Sequence, residues 1–418
     1  MNLNEIVKNC GKCALCLAVC PVYKVERNEV VSPRAKVQLI KAYLNKELEP
    51  SKYSEKIFSS CLLCESCRSI CPGGVKSDEL FLTMRNEFIK KYGLRLDKKV
   101  LSKILSNKNL FFLPNLIKFS RGQDLAEKLS FINFNIGSIN VKNIPKLSSK
   151  TLKSQFPEIV KAKGKKKGTL LYFTGCLDNF FYDSVGKSAI NVLTKLGFDV
   201  VLSKEEMCCG IPMLISGDFE SSVHNIRNNL KFLDNKNIDA IIVTCATCGT
   251  ALKKLYVNAL QKLKLETELD SAARISKKIK DINEFLAGEK GLKNLLSTVG
   301  IYKDKKVTYH DPCHLVHGQN IKEEPRNILK NINGIEFIEM EESDGCCGAG
   351  GFFQLNFPDI SAKIGEKKLK NITDTKADIV TTSCPACKIQ LINLVKGINS
   401  NTEVLQTVEL INKLTDRS

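Results

Sequence analysis

The spacing of apolar residues changes along this chain, and the change divides it into two regions. Two stretches near the start carry apolar side chains at helical spacing, SPRAKVQLIKAYLNKELEP (32–50) and SDELFLTMRNEFIKKYG (77–93). From residue 169 onward, short β-prone apolar runs alternate with helical segments. The fold class predicted is therefore α+β and multidomain, with a helical N-terminal module followed by α/β modules that contain parallel sheets.

The second region contains the same arrangement twice. Each copy has three predicted strands that end at or beside cysteines: TLLYFTGC, FDVVL and DAIIVTC in the first copy, and KVTYHDPC, IEFIEM and ADIVTTSC in the second. Matching cysteines lie 137 to 139 residues apart. A repeat this regular predicts two similar modules, with cysteines at the carboxyl ends of parallel strands, where such sheets bind ligands.

Composition adds a chemical constraint, because the chain has 18 cysteines in 418 residues and no tryptophan. A chain of this length does not need disulfides to fold, and its start, MNLNEIVKNC, lacks the pattern of a secretory signal. Reduced thiols that hold metal are therefore favoured over nine disulfides. The cysteines form four groups: Cys10, Cys13, Cys16 and Cys20; Cys61, Cys64, Cys67 and Cys71; Cys176, Cys208, Cys209, Cys245 and Cys248; and Cys313, Cys346, Cys347, Cys384 and Cys387.

The first two groups each follow the spacing C-x2-C-x2-C-x3-C-P, the ligand pattern of bacterial two-cluster ferredoxins. In that pattern the fourth cysteine binds the neighbouring cluster. The prediction is two 4Fe–4S cubanes, one held by Cys10, Cys13, Cys16 and Cys71, the other by Cys61, Cys64, Cys67 and Cys20. Zinc, which favours two separate C-x2-C pairs, fits this spacing poorly.

The last two groups each contain adjacent cysteines followed by glycine, in EMCCGIPM (206–213) and DGCCGAGG (344–351). Adjacent side chains of an extended backbone point apart, so such a pair is a poor chelate for one tetrahedral metal. A cluster can use both sulfurs on different irons. The glycine permits a tight turn and a close approach of the backbone to a bulky inorganic core.

These two stretches resemble the cysteine-rich CCG domain of heterodisulfide reductase and of the glycolate oxidase iron–sulfur subunit. The order of the modules, and the segment CPVYKVERNEVVSPRAKVQLIK (20–41), are similar to the glycolate type. The resemblance implies one or two noncubane iron–sulfur clusters, held by the third and fourth cysteine groups, with zinc in one module as an alternative. The expected domains are a two-cluster ferredoxin-type domain 1–97, a basic linker 98–168, CCG domains 169–265 and 305–418, and a helical connector 266–304.

Four histidines are present, His224, His310, His314 and His317, and three of them flank Cys313 in YHDPCHLVHG. Either His310 or His314 could donate a hydrogen bond to a cluster sulfur, move a proton or replace a thiolate, or could be bonded to backbone alone. GKS (186–188) lacks the first glycine of a phosphate-binding loop, and GAGG (348–351) follows cysteines rather than a strand. No nucleotide or flavin site is expected in this chain.

The net charge of +18 is concentrated in residues 98–168, which hold 16 Lys and Arg against three acids. Within this stretch, NLFFLPNLIKF (109–119) combines phenylalanines with flanking lysine, a composition that suits an anionic membrane surface, an acidic partner subunit or a solvated linker. No recognition motif for nucleic acid accompanies the charge. The expected location is cytoplasmic, with peripheral association at the inner face of the cell membrane as one use of this stretch.

The resemblance implies an oxidoreductase subunit for electron transport. It would serve a membrane-associated glycolate or lactate oxidase, taking electrons from an FAD-containing subunit toward quinone, and it is expected to be inactive alone. Two alternatives within the same relatives stay open: disulfide reduction at the CCG sites, as in heterodisulfide reductase, and the similarly built iron–sulfur subunit of anaerobic glycerol-3-phosphate dehydrogenase. A metal or redox sensor is a third, for which the sequence offers only charge.

Overall fold

A computed structural model of the chain describes residues 3–106, 135–136, 139–140, 145–234, 237–296, 304–351 and 353–416. Within them, a helical N-terminal module precedes two α/β modules, which confirms the predicted fold class. The apolar and basic segment 109–119 lies outside the described residues. No helix in the described ranges is long and apolar enough to cross a membrane.

The N-terminal module consists of short helices around an apolar core. Ser32 begins one helix by accepting a hydrogen bond from the backbone N–H of Ala35, and Pro33 occupies its first turn. The core includes the buried side chains of Val37, Ile40 and Phe58. The helices are Leu3–Lys8, Leu15–Val19, Pro21–Glu26, the 3₁₀ turn Glu29–Val31, Pro33–Leu44, Lys52–Ser59, Ser66–Ser69, Ser77–Tyr92 and Leu96–Ser106.

The strands of the described residues form one two-stranded pair and two larger sheets. They are β1 Asn135–Ile136, β2 Ile139–Asn140, β3 Ile159–Val160, β4 Gly168–Phe173, β5 Phe198–Val201, β6 Ala240–Val243, β7 Ile279–Asp281, β8 Lys305–Tyr309, β9 Ile335–Phe337, β10 Ile379–Thr382 and β11 Glu403–Gln406. The first module has the order β3-β5-β4-β6-β7, and the second has β11-β10-β8-β9. All pairs in these two sheets are parallel except β3 with β5.

Helices follow the strands, as the alternating pattern predicts. In the first module they are the 3₁₀ turn Leu152–Gln155, Gly175–Phe180, Asp183–Lys195, Ile211–Ser216, Phe219–Leu233, Ala246–Thr250, the π turn Ala251–Leu255, Tyr256–Lys262, Glu266–Ser276, Ile282–Ala287 and Leu292–Leu296. In the second they are Cys313–Gln319, Glu323–Lys330, Phe353–Asn356, Pro358–Asp374, Pro385–Gly397 and Thr407–Thr415. The last helix packs against Asp183–Lys195 of the first module, so the two modules share one apolar core.

Two short strands outside the expected CCG domain 169–265 add to the first sheet. Strand β3 lies inside the predicted linker 98–168, and β7 lies inside the predicted helical connector 266–304, yet both belong to the first sheet. These strands have only two and three residues, too few to show a period in the sequence. The first α/β module therefore extends beyond residues 169–265 on both sides.

Asp281, at the end of β7, is a fully buried carboxyl group. One oxygen accepts hydrogen bonds from the backbone and side-chain amides of Asn283, at 2.9 and 2.8 Å. Its other oxygen has no partner within the described residues. Burial raises the pKa of Asp281 from 3.8 to about 7. The folded protein therefore binds this proton more tightly than the unfolded chain does.

We expect Asp281 to make the protein less stable as pH rises from about 4 to about 7, with a slope of up to about 1.4 kcal/mol per pH unit. Asp281→Asn keeps an oxygen for the Asn283 amides and removes the titration. Thermal unfolding of both proteins between pH 5 and 8 is the measurement. The variant should gain stability relative to the parent as pH rises, and a difference independent of pH would contradict the prediction.

Candidate metal centres

The two ferredoxin-type motifs have the same backbone conformation, although their flanking residues differ. On either side of the second cysteine of each motif, a non-glycine residue has a positive φ: Lys12, Ala14, Leu63 and Glu65, with φ of 56°, 69°, 53° and 63°. Such conformations are uncommon for residues with a Cβ and cluster at functional sites. Both motifs therefore wrap as the same tight loop around their cysteines.

The second motif and the last cysteine of the first motif meet, as the ferredoxin pattern predicts. Cys20, Cys61, Cys64 and Cys67 line one small cavity. The Sγ of Cys20 accepts from the backbone N–H of Tyr23 at 3.5 Å, and the Sγ of Cys67 lies 3.0 Å from the hydroxyl of Ser77. Hydrogen bonds of this kind stabilise the thiolate form that binds metal.

Cys71 lies at the other predicted set, beside the start of the first motif. The backbone of Gly73 is so close to Asn9 that a Cβ there would stand 2.2 Å from the Asn9 carbonyl oxygen and 3.9 Å from the Cys71 Sγ. Burial, with added contributions from the thiolates of Cys10, Cys20 and Cys13, raises the pKa of Cys16 to about 11. The Cys16 thiol is therefore protonated near neutral pH until a metal displaces the proton.

Two cations flank the second set, Lys36, which is buried, and Arg85, which is half-buried. The Lys36 ammonium donates to the Val31 carbonyl, and the Arg85 guanidinium donates to the carbonyls of Phe58, Cys61 and Ile215. Within the described part of the chain neither forms an ion pair with a carboxylate. Burial lowers the pKa of both groups, and the Cys61 thiolate opposes that shift. Their charges are therefore available to offset the negative charge of metal-bound thiolates.

Lys36 is a residue that the sequence analysis missed. It lies on the helix Pro33–Leu44 with Pro33, Val37 and Ile40, and these four positions form the buried face at spacing i, i+3, i+4 and i+7. The signal available in the sequence was a lysine at a position where the helical spacing of apolar residues predicts a buried side chain.

The cysteines of the two CCG-like groups lie in one continuous row, in which each side chain interacts electrostatically with the next. The row passes through Cys176, Cys208, Cys209, Cys248, Cys245, Cys384, Cys387, Cys347, Cys346 and Cys313. The order in the second module mirrors the order in the first. Cys245 of the first module neighbours Cys384 of the second, which their separation in sequence did not reveal.

These ten sulfurs face a single cavity of about 320 Å³ between the modules. Leu62 and Cys64 of the second ferredoxin-type motif line the same cavity. They also line the cavity of the second cysteine set. The remaining lining is mostly apolar, which limits access of water to the sulfurs. The ferredoxin-type and CCG-like cysteines therefore belong to adjoining sites.

Polar side chains fix the cysteine-bearing loops of the first module. Buried Glu206 accepts from the backbone N–H groups of Thr174 and Gly175, at 3.1 and 2.7 Å, and so ties the loop of Cys208 to the loop of Cys176. Asn225 donates to the Cys208 carbonyl at 2.9 Å. The glycine after each cysteine pair has φ of 82° and 88°, as the predicted tight turn requires.

The histidines near Cys313 differ in their surroundings. His314 contacts the Thr247 hydroxyl at 3.1 Å and the Leu63 carbonyl at 3.2 Å, so it links three parts of the chain. His310 is buried, and burial lowers its pKa to about 3, so the ring is neutral. His317 is half-buried, and His224 is exposed.

Comparison with known proteins agrees with this division of the chain. Residues 6–75 match the 4Fe-4S dicluster domain, and residues 170–253 and 307–392 match the cysteine-rich CCG domain. The chain is 30% identical to one of the subunits of fumarate reductase (CoM/CoB) from Methanothermobacter marburgensis, over 94% of this chain and 81% of the relative. This chain belongs to the iron–sulfur proteins that join a 4Fe-4S dicluster domain to two CCG domains.

Other members of this iron–sulfur family carry different names. A probable glycolate oxidase iron–sulfur subunit of Bacillus subtilis is 28% identical over 92% of this chain and 88% of its own length. One of the subunits of the dihydromethanophenazine:CoB–CoM heterodisulfide reductase from Methanosarcina acetivorans is 26% identical over 96% and 92%. The donor chemistry fits the family, because all 18 cysteines are free thiols and 14 of them line two adjoining cavities.

Proposed function

We propose that this chain is the electron-transfer subunit of an oxidase for a small 2-hydroxyacid such as glycolate or lactate. The observation that carries the proposal is the position of Cys64 and Leu62, which line both the second dicluster cavity and the CCG cavity. Iron–sulfur clusters, when bound, take up and release single electrons. The likeness to glycolate oxidase iron–sulfur subunits supports the choice of substrate class.

The residues of the chain would serve this role in three ways. Eight cysteines of the dicluster domain would hold two cubanes in the crossed sets described above, and each group of five CCG cysteines would hold a noncubane cluster, with zinc in one module as the alternative. Lys36 and Arg85 would offset negative charge at the second dicluster set. The apolar lining of the shared cavity would keep water from the sulfurs.

The oxidation of the acid is assigned to a separate FAD-containing subunit, with quinone as the final acceptor. The sequence offers thiols for holding electron carriers but no motif for a flavin or nucleotide. Peripheral docking at the membrane through the basic stretch 98–168 is part of this proposal.

The test is oxidation of glycolate and lactate, with an artificial electron acceptor that reacts at iron–sulfur centres. The anaerobically purified chain should be inactive alone and active when combined with an FAD-containing 2-hydroxyacid-oxidising partner. Full activity of the lone chain would refute the division of labour. If the combined proteins oxidise glycerol-3-phosphate but neither hydroxyacid, the chain would instead be the iron–sulfur subunit of an anaerobic glycerol-3-phosphate dehydrogenase.

A second function, reduction of a small disulfide at the CCG sites, is favoured by the likeness of the chain to one of the heterodisulfide reductase subunits. Anaerobic assays with disulfides and a reduced donor separate the two functions. Turnover without any flavoprotein would support disulfide reduction instead.

A further inference from the structure

Each CCG module has a tyrosine at the same position near the end of a strand, and the two tyrosines have matching hydroxyl contacts. Tyr172 and Tyr309 each lie four residues before the first cysteine of their module. The Tyr172 hydroxyl lies 2.9 Å from that of Thr244, and the Tyr309 hydroxyl lies 2.9 Å from that of Ser383. The position after the tyrosine differs, because Phe173 occupies it in the first module and His310 in the second.

The imidazole of His310 has no hydrogen-bond partner on either ring nitrogen within the described residues, although only 1% of the residue is exposed. Buried polar groups of native proteins are almost always hydrogen-bonded, so each exception needs an explanation. The ring also lines the cavity that contains the CCG cysteines.

The neighbouring charged groups do not supply the missing partner. The carboxylate of Asp311 is bound by the Arg326 guanidinium through both oxygens, at 3.0 and 2.6 Å. The ammonium of Lys368 donates to the carbonyls of Glu342 and Ser343, at 2.7 and 3.1 Å. The Ser343 carbonyl also lies near the ring, but it accepts from Lys368, and the ring lines the cavity that contains the cysteines.

A ring nitrogen of His310 and the Sγ atoms of Cys347 and Cys387 all lie within 4.8 Å of one another. Ligand atoms around one tetrahedral metal stand roughly 3.3–3.8 Å apart, given metal–sulfur and metal–nitrogen bonds of about 2.3 and 2.0 Å. The three atoms need only a small contraction to reach that geometry. Neutral imidazole and thiolate are ligands for both iron–sulfur centres and zinc.

We propose that His310 is a nitrogen ligand of the metal centre in the second CCG module, bound beside Cys347 and Cys387. The first module, with Phe173 at the matching position, then holds an all-sulfur centre, and the two centres are chemically different. His310 then replaces one thiolate of the five-cysteine set proposed above for the second module, which removes one negative charge from the centre and raises its reduction potential. The assignment is independent of the substrate of the parent complex.

The test is pulsed EPR of the anaerobically isolated full chain, grown with histidine labelled with ¹⁵N in the ring. The expected result is the hyperfine coupling of a directly bound imidazole nitrogen, with loss of that coupling in His310→Phe. If the second module contains zinc, X-ray absorption at the zinc edge should show nitrogen and sulfur ligands in the parent protein. The His310→Phe protein should show sulfur ligands only.

The matched control is His314→Gln, because His314 lines the same cavity but contacts Thr247 and Leu63 through its ring nitrogens. The control should retain the coupling. Phenylalanine is the residue that the first module carries at the matching position, which favours folding of His310→Phe. If His310→Phe does not accumulate, the spectra of the labelled and unlabelled parent proteins still show whether an imidazole nitrogen is bound to the centre. A spectrum without imidazole coupling, an all-sulfur zinc shell, or a coupling that survives in His310→Phe would overturn the proposal.

Discussion

Replacement of Cys64 by alanine is expected to abolish the iron–sulfur centre of the second dicluster set and to reduce electron transfer by more than about 100-fold. Cys64 is a proposed ligand that also lines the cavity shared by the CCG modules. Loss of a group that merely orients a metal ligand already costs roughly 10–100-fold in metal affinity or activity, and loss of the ligand itself should cost more. The measurements are iron and acid-labile sulfide per chain, EPR of the reduced protein, and acceptor turnover with the flavoprotein.

Two variants separate this effect from general damage to the site. Leu62→Ala changes a side chain that lines the same two cavities but has no donor atom, so iron content should remain unchanged. Cys13→Ala removes the corresponding cysteine of the first motif, which is exposed, and should remove only the first dicluster centre. A Cys64→Ala protein with full iron content and a full EPR spectrum would show that Cys64 is not a ligand.

The second large effect is expected at Lys254, which joins the first CCG module to the dicluster domain. Its ammonium pairs with Glu65 and with Asp78, the latter at 3.0 Å, and both carboxylates are buried. Asp78 is also bound by Arg68 at 2.8 Å, whereas Lys254 is the only cation paired with Glu65 among the described residues. Lys254→Met would leave a buried carboxylate unpaired, which typically destabilises a protein by about 3–5 kcal/mol.

Urea unfolding of the parent and variant chains measures this loss of stability. The adjacent Lys253 provides the control, because its partner Glu284 is more exposed and also pairs with Lys280. Lys253→Met should cost no more than about 1 kcal/mol. The double variant Lys254→Met with Glu65→Gln should recover part of the loss by removing the unpaired charge. Equal effects of the two lysine substitutions would contradict this account of the domain interface.

Part of the candidate site could be predicted from the sequence because the patterns that indicate it extend over only a few residues. The spacing around Cys10 and Cys61, and the glycine after each cysteine pair, encode loop geometry over a few residues. The structure places Cys20 with the second motif and Cys71 beside the first, as that spacing predicts. Strands β4 and β8 begin within one residue of the predicted runs, because their apolar residues extend over a whole strand.

The amino-acid sequence by itself determined the order of the three modules, the grouping of the cysteines and the likeness of the two repeats. Only the tertiary structure decided that Cys245 neighbours Cys384, that Cys64 lines two cavities, and that His310 is buried without a hydrogen-bond partner among the described residues while His314 is bonded. The physical reason is that hydrophobic period and motif spacing act over a few residues. Contacts between elements far apart in the chain depend on how whole modules pack.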